Sequence, residues 1–290
     1  MEEIVYLNGS LMPKSKARIS VFDHAFLYGY GLYETMRAYN GKIFLLERHI
    51  KRMHNAAKTI GLAKKLAGID LAEACKNTLE VNGLKDARLR ITISNGESDA
   101  APWTENRGAP NVVVTARPYT PFSTEKYNEG FRVGIATERR CRQSVITKMK
   151  SVNHLASVMA RMEAAALGLD EALLLNADGN IAEGGGCNVF FVGAGVLTTP
   201  PLDSGILPGV TREAVIEIAA EAGIKVKESD IKPENLKRFD EAFVTNAMIE
   251  IMPVTAVREA GGRMLKVGSG KPGGTTRRLM AAYREKVERL

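Results

Sequence analysis

Two Asn-Gly pairs, Asn8-Gly9 and Asn40-Gly41, each sit between short runs of β-forming residues, and no other feature restricts the fold of this chain as much. A two-residue hairpin turn of the favoured type needs positive φ at both central positions, which Asn and Gly adopt at least cost. The flanking runs are Ile4 to Leu7 with Leu11-Met12, and Met36 to Tyr39 with Ile43 to Leu45; both sets are expected to pair as antiparallel hairpins. Helical periodicity follows over Leu46 to Ile60 and Leu71 to Val81, then strand-like Ala87 to Ser94 and Asn111 to Ala116. Strands joined by hairpins in place of crossovers argue against a doubly wound nucleotide-binding fold, and no G-x-G-x-x-G or P-loop contradicts this. The expected class is α/β of the α+β type.

Residues Pro118 to Gly130, with two prolines and little periodicity, read as a linker. This gives an N-terminal α/β domain over 1–120, a linker over 121–130 and a second α/β domain over 131–290. The second half opens with a strand, Phe131 to Ala136, and continues with an alanine-rich helix, Asn153 to Leu167. Strands are expected at Glu171 to Asn176 and Ile181 to Val192 around an Asp178-Gly179 turn. A helix after Pro208-Gly209 runs to about Gly223, short strands follow near Ile224 to Lys227, Glu241 to Thr245 and Val254 to Val257, and a last helix spans Thr275 to Glu288.

With 45% apolar and 25% charged residues among 290, the chain can bury a substantial core. Cys75, Cys141 and Cys187 form no C-x-x-C pair and have no histidine at ligand spacing, so neither a disulfide framework nor a metal site is indicated. A reducing cytoplasm fits them. The acidic N-terminus enters a strand pattern at once, and no apolar run approaches the roughly 20 residues that a bilayer span needs. The formal charge of +7 is dispersed, and its densest cluster, Arg139-Arg140-Cys141-Arg142, lacks interleaved aromatics for stacking bases. Nucleic-acid binding is not expected.

Chemistry concentrates between Lys150 and Phe190. A lysine precedes an apolar helix, and Glu183 follows the Asp-Gly turn ahead of Gly184-Gly185-Gly186. Pyridoxal phosphate (PLP) requires such a pair: an amine to carry it as a Schiff base, and an acid facing its ring nitrogen so that the protonated ring withdraws electrons from the substrate α-carbon. Three consecutive glycines also remove side chains where backbone could approach a ring or a phosphate.

Seven segments, in order along nearly the whole chain, then carry a resemblance: Phe22 to Gly29, Leu32 to Arg37, His49-Ile50-Lys51-Arg52, Lys150-Ser151-Val152-Asn153, Glu183-Gly184 with Asn188-Val189-Phe190, Gly205 to Arg212, and Thr245-Asn246-Ala247. Together they resemble the class IV aminotransferases, the fold-type IV PLP enzymes, which include branched-chain amino acid aminotransferases, D-amino acid aminotransferases and 4-amino-4-deoxychorismate lyases. The resemblance implies two α/β domains, the C-terminal one pseudo-barrel-like, with PLP between them and a homodimer completing the site.

The same resemblance assigns roles. Lys150 holds PLP and later moves the proton between the substrate Cα and the cofactor C4′; Glu183 faces the pyridine nitrogen; Arg52 takes the phosphate. Val210 and Thr211 open a helix whose backbone N–H groups form a phosphate cradle. Leu207 matches an apolar residue against one ring face, or is ordinary core. Asn246 and Ala247 lie in a matched cofactor turn. His154 stands where branched-chain enzymes often carry a tyrosine reaching the phenolic oxygen, or simply bonds backbone at a helix start. Tyr28, Tyr33 and Thr35 fall in matched substrate segments. Arg88 and Arg90 alternate with Leu89 on a strand, so they share one face and either clamp a substrate carboxylate or meet solvent.

Substrate signals are mixed. Branched-chain enzymes usually show tyrosine at the Arg88 position and a Ser-Gly-Thr-Ala turn near residue 245, where this chain has Thr245-Asn246-Ala247-Met248. D-amino acid enzymes carry an arginine and a histidine where this chain has Ser94-Asn95-Gly96. The Thr-Asn-Ala turn and the Tyr33 to Arg37 strand are nearer the lyases. The expected activity is transfer of an amino group from an α-amino acid, branched-chain type favoured, to a 2-oxo acid such as 2-oxoglutarate. The alternative is release of pyruvate and p-aminobenzoate from aminodeoxychorismate; a D-amino acid specificity or a non-catalytic role ranks below both.

Overall fold

The computed structural model describes residues 2–99, 101–103 and 108–290. The chain divides into two compact units. The first gathers the residues up to Thr120 with Met149–Asn153 and Leu290; the second holds Pro121–Lys148 and His154–Arg289. Lys150 therefore belongs to the first unit, although it lies well beyond Thr120 in sequence.

The first unit contains β1 (Ile4–Leu7), β2 (Ser10–Pro13), α1 (His24–Tyr28), β3 (Gly31–Tyr39), β4 (Lys42–Ile43), α2 (Leu46–Thr59), α3 (Leu71–Val81), β5 (Ala87–Ser94) and β6 (Asn111–Pro118). Its six strands form one antiparallel sheet in the order β2-β1-β6-β5-β3-β4. Both expected hairpins are present: Asn8 and Gly9 have φ of 49° and 91°, Asn40 and Gly41 of 50° and 81°. Strand alternation then sorts the side chains. Leu32, Met36, Leu89, Ile91 and Val114 face a core closed by Ile50 and Met53 of α2 and Ala74 and Leu79 of α3. Each such large side chain contributes about 1.5–3 kcal/mol by leaving water. The alternate residues of β3 and β5, from Tyr33 and Thr35 to Arg88 and Arg90, are left on the other face.

The second unit contains α4 (Thr124–Glu129), β7 (Phe131–Arg140), α5 (Leu155–Ala166), β8 (Glu171–Asn176), β9 (Ile181–Gly184), β10 (Asn188–Gly193), β11 (Val196–Thr199), α6 (Val210–Glu221), β12 (Lys225–Glu228), β13 (Glu241–Asn246), β14 (Glu250–Arg258), β15 (Met264–Lys266) and α7 (Gly274–Glu288). Its sheet runs β12-β11-β10-β13-β14-β7-β8-β9, with β15 added on β14. The β11/β12, β14/β7 and β7/β8 pairs are parallel and the rest antiparallel. Val133, Leu173, Val189, Phe191, Val244 and Met252 centre its core.

Two stretches differ from the sequence expectation. The run read as a linker over 121–130 holds α4, capped by Ser123 and fixed in the second unit by buried Tyr127, whose hydroxyl donates to the Ile249 carbonyl at 3.1 Å. The strand expected over Ile181 to Val192 breaks into β9 and β10, because Gly184 N–H turns back to the Cys187 carbonyl at 2.7 Å. Among the described residues, no helix is long and apolar enough to cross a membrane.

Candidate active site

In the first unit, the residues 150–153 lie against the start of β3. Tyr33 N–H donates to the Lys150 carbonyl at 2.9 Å, Val152 N–H donates to the Gly31 carbonyl at 3.1 Å, and Leu32 and Ser151 form a β-bridge. The Asn153 side chain secures this placement by donating to the Gly29 carbonyl at 2.7 Å. Gly29 ends α1 at a φ of 68°, and a Cβ there would lie 2.0 Å from Asn153 Oδ1. The K-x-x-N spacing thus has a local cause: the asparagine docks on a glycine that no side chain could replace, and the lysine is carried to β3.

The Lys150 ammonium lies over the Tyr33 ring, 4.6 Å from its centroid, and the Arg90 guanidinium carbon lies 3.9 Å from the same centroid. Both are cation–π contacts. Thr35 stands directly opposite Arg90 in the β3/β5 register, and Arg37 opposite Arg88. Arg88 and Arg90 do share the face expected of them; Arg88 is exposed, and Arg90 also donates to Thr92 Oγ1 at 3.2 Å. Arg37, which received no role from sequence, is buried on that face over the rings of Tyr39 and Tyr119. Tyr28 projects from α1, half exposed, edge-on to His24.

Behind Tyr33, Glu34 points to the helical side and is almost fully buried. Arg52 of α2 grips it bidentately, Nε to Oε1 at 2.7 Å and Nη2 to Oε2 at 2.6 Å, and His49, one turn earlier, meets Oε2 at 2.8 Å. Burial alone would push the Glu34 carboxyl up; the Arg52 guanidinium and the His49 hydrogen bond outweigh it and hold the group down at about 2. For His49, burial wins over the attraction of Glu34, and the positive charges of Arg52 and Lys150 lower it further. Arg52 is therefore held in plane by an ionised partner. The sequence reading missed both Glu34 and His49, although each lies in a matched segment.

In the second unit, Glu183 lies near the end of β9 and is buried. Its Oε1 pairs with Arg140 Nη2 at 2.6 Å, and its Oε2 accepts the Leu207 N–H at 3.1 Å. Asn188 Nδ2 holds the Leu207 carbonyl at 3.0 Å, so both backbone groups of Leu207 are tied down. Gly209 precedes α6, which has no side-chain cap; Val210 and Thr211 form its buried first turn. A Cβ at Gly209 would sit 1.9 Å from Asn188 Oδ1. Asn246 donates to the Gly186 carbonyl at 2.9 Å and accepts the N–H groups of Met248 and Ile249, closing the turn that carries Ala247. His154 occupies the N-cap position of α5, yet its side chain makes no capping bond.

A Cβ at Gly184 would lie 2.3 Å from Cys187 Sγ, and one at Gly185 2.5 Å from Arg161 Cγ, while neither glycine has positive φ. At these two positions neighbouring side chains fill the space a Cβ would need, whereas a Cβ at Gly186 would meet nothing closer than 3.5 Å.

The model of the family described as Amino-transferase class IV matches residues 31–257. A Methanocaldococcus jannaschii protein, named provisionally a branched-chain-amino-acid aminotransferase, is 36% identical over 282 residues, 97% of this chain and 95% of its own. The aminodeoxychorismate lyase of Bacillus subtilis is 34% identical over 292 residues, 99% of this chain and 96% of its own. The crystal structure of the Escherichia coli branched-chain amino acid aminotransferase superposes with a TM-score of 0.89 at 30% identity, covering 98% of this chain and 94% of that one. The chain belongs to the class IV aminotransferases, which are PLP-dependent enzymes.

Proposed function

We propose that this enzyme moves an amino group between a branched-chain α-amino acid and a 2-oxo acid such as 2-oxoglutarate. The observation that carries the reading is the Tyr33 ring shared by the Lys150 amine and the Arg90 guanidinium: a group able to react with a carbonyl stands beside one able to hold a carboxylate. The residues present fit PLP. Thr245 Oγ1 is buried without a hydrogen-bond partner among the described residues, and α6 begins uncapped at Val210 and Thr211, where backbone N–H groups favour a phosphate. In this reading Lys150 holds the cofactor through its amine, Glu183 faces the ring nitrogen, and Leu207 lies against the ring. Arg52, Val210, Thr211, Asn246 and Ala247 surround the phosphate, and His154 reaches the phenolic oxygen. When bound, PLP supplies an electron-withdrawing ring that stabilises negative charge at the substrate Cα.

The protein groups then divide the work. With PLP bound, the Lys150 amine would be the group placed to take and return a proton at the substrate Cα. Arg90 orients the substrate carboxylate, with Arg88, Tyr28, Tyr33 and Thr35 on the same substrate side. The exposed apolar side chains Phe22 and Phe26 support a homodimer. The three free thiols Cys75, Cys141 and Cys187 support residence in a reducing cytoplasm.

The lyase remains the second reading. It is favoured by the Thr245-Asn246-Ala247 turn, whose asparagine is committed to Gly186 and to its own backbone, and by the identity to the Bacillus subtilis enzyme. One assay separates them: leucine with 2-oxoglutarate, and aminodeoxychorismate alone, are offered to the purified enzyme. Glutamate as product is expected. p-Aminobenzoate with pyruvate, and no glutamate, would replace the first reading by the second.

A further inference from the structure

The run Arg139-Arg140-Cys141-Arg142 received from the sequence only a general role, service to an anionic small ligand, and in the structure each arginine has a separate one. Along the parallel β7/β8 ladder the register passes from Ile135 opposite Leu173 to Arg139 opposite Leu175, so two extra residues bulge from β7. Arg139 closes this bulge by donating from Nη1 to the carbonyls of Ala136 and Thr137 at 2.6 and 2.8 Å. Arg142 pairs at the surface with Asp178 and Asp203. Between them, Arg140 points from the end of β7 to Glu183, and its Nη2 also donates to Ser157 Oγ at 3.2 Å. Bulges commonly redirect a side chain beside a functional site.

We propose that Arg140 is a positioning residue that fixes the Glu183 carboxylate in the orientation from which it meets the pyridine nitrogen of PLP. The proposal rests on the reading of Glu183 given above and extends it. A carboxylate held at one oxygen can swing about that contact. Glu183 is engaged at both, Oε1 by an ion pair with a guanidinium at 2.6 Å and Oε2 by a hydrogen bond from the Leu207 N–H, so its orientation is restricted before any ligand arrives. Each oxygen keeps acceptor capacity for a further N–H. Arg140 also balances a carboxylate that is nearly inaccessible to water, and a buried charge left without its partner is strongly unfavourable.

The test measures PLP dissociation constants of the apoproteins, and the absorbance maximum of the bound cofactor, for wild type, Arg140→Gln, Arg140→Lys, Glu183→Gln and the double variant Arg140→Gln/Glu183→Gln, with Arg142→Gln as the control. Arg140→Gln is expected to weaken PLP by about 10-fold or more, in the range usual for residues supporting a ligating group, and to move the absorbance maximum. Arg140→Lys should recover part of both, the double variant should bind no worse than Glu183→Gln, and Arg142→Gln should match wild type. Should Arg140→Gln not fold, Arg140→Lys alone decides, since an unchanged affinity and spectrum there would overturn the proposal. Weakening by Glu183→Gln with wild-type behaviour of the Arg140 variants would overturn Arg140's role only. Wild-type affinity and spectrum in Glu183→Gln would instead remove Glu183 from the ring, and the proposal with it.

Discussion

Glu34 sets two large terms against each other. Removing a carboxylate from water is costly, and an isolated buried one would take up a proton; the bidentate Arg52 and the adjacent His49 reverse that outcome and keep it ionised down to about 2. A carboxylate whose folded value lies below its unfolded one adds stability that is present above the unfolded value, near 4.5, and is lost as pH falls toward 2. His49 acts in the same direction: its burial disfavours the proton that the unfolded chain accepts near 6.5, so stability begins to fall below that pH. Thermal unfolding measured from pH 7 to pH 3 should show the wild type losing stability as pH falls, Glu34 contributing on the order of 2 kcal/mol of that loss. Glu34→Gln should be less stable at pH 7 and flatter toward acid. Parallel curves for the two proteins would show that the triad is not the source.

At the scale of elements, α5 shows what its own unit leaves uncovered. Ser157, Ala160 and Ala164 face inward, while Leu155, Val158, Met159 and Met162 are 69%, 39%, 55% and 65% exposed. Their i, i+3, i+4, i+7 spacing is one continuous apolar stripe, wider than the scattered exposure ordinary for surface leucines and methionines. A second copy of the chain is the occupant this family reading calls for. Sedimentation should give about twice 31.6 kDa for wild type and a shift toward 31.6 kDa for Met159→Glu. A monomeric wild type at micromolar concentration would show that the stripe serves something else.

At the scale of the whole molecule, the elements legible in the sequence are those whose causes are local. The Asn8-Gly9 and Asn40-Gly41 hairpins follow from turn chemistry alone, and α3, β5 and β8 run over the residues that their periodicity picks out. Locally obscured signals were lost: Ser123 caps α4, but its polar, proline-flanked setting reads as a linker. Contacts between distant segments were illegible for a different reason. Glu34 meets Arg52 across 18 residues, and Glu183 meets Arg140 on a strand reached only through the fold, so neither pair has a spacing rule to betray it. Of the candidate site, chemically distinctive residues such as Lys150 and Glu183 could be picked out by type and family pattern, whereas Glu34, which pairs with Arg52, His49, which bonds to Glu34, and Arg140, which pairs with Glu183, could not.

The amine of Lys150 carries the whole account, and borohydride tests it directly. Reduction of the PLP-loaded protein followed by peptide mapping should place one phosphopyridoxyl group per chain on Lys150, and Lys150→Ala should take up none there and lose turnover. A label found on Lys148 or another lysine, or full turnover in Lys150→Ala, would contradict it.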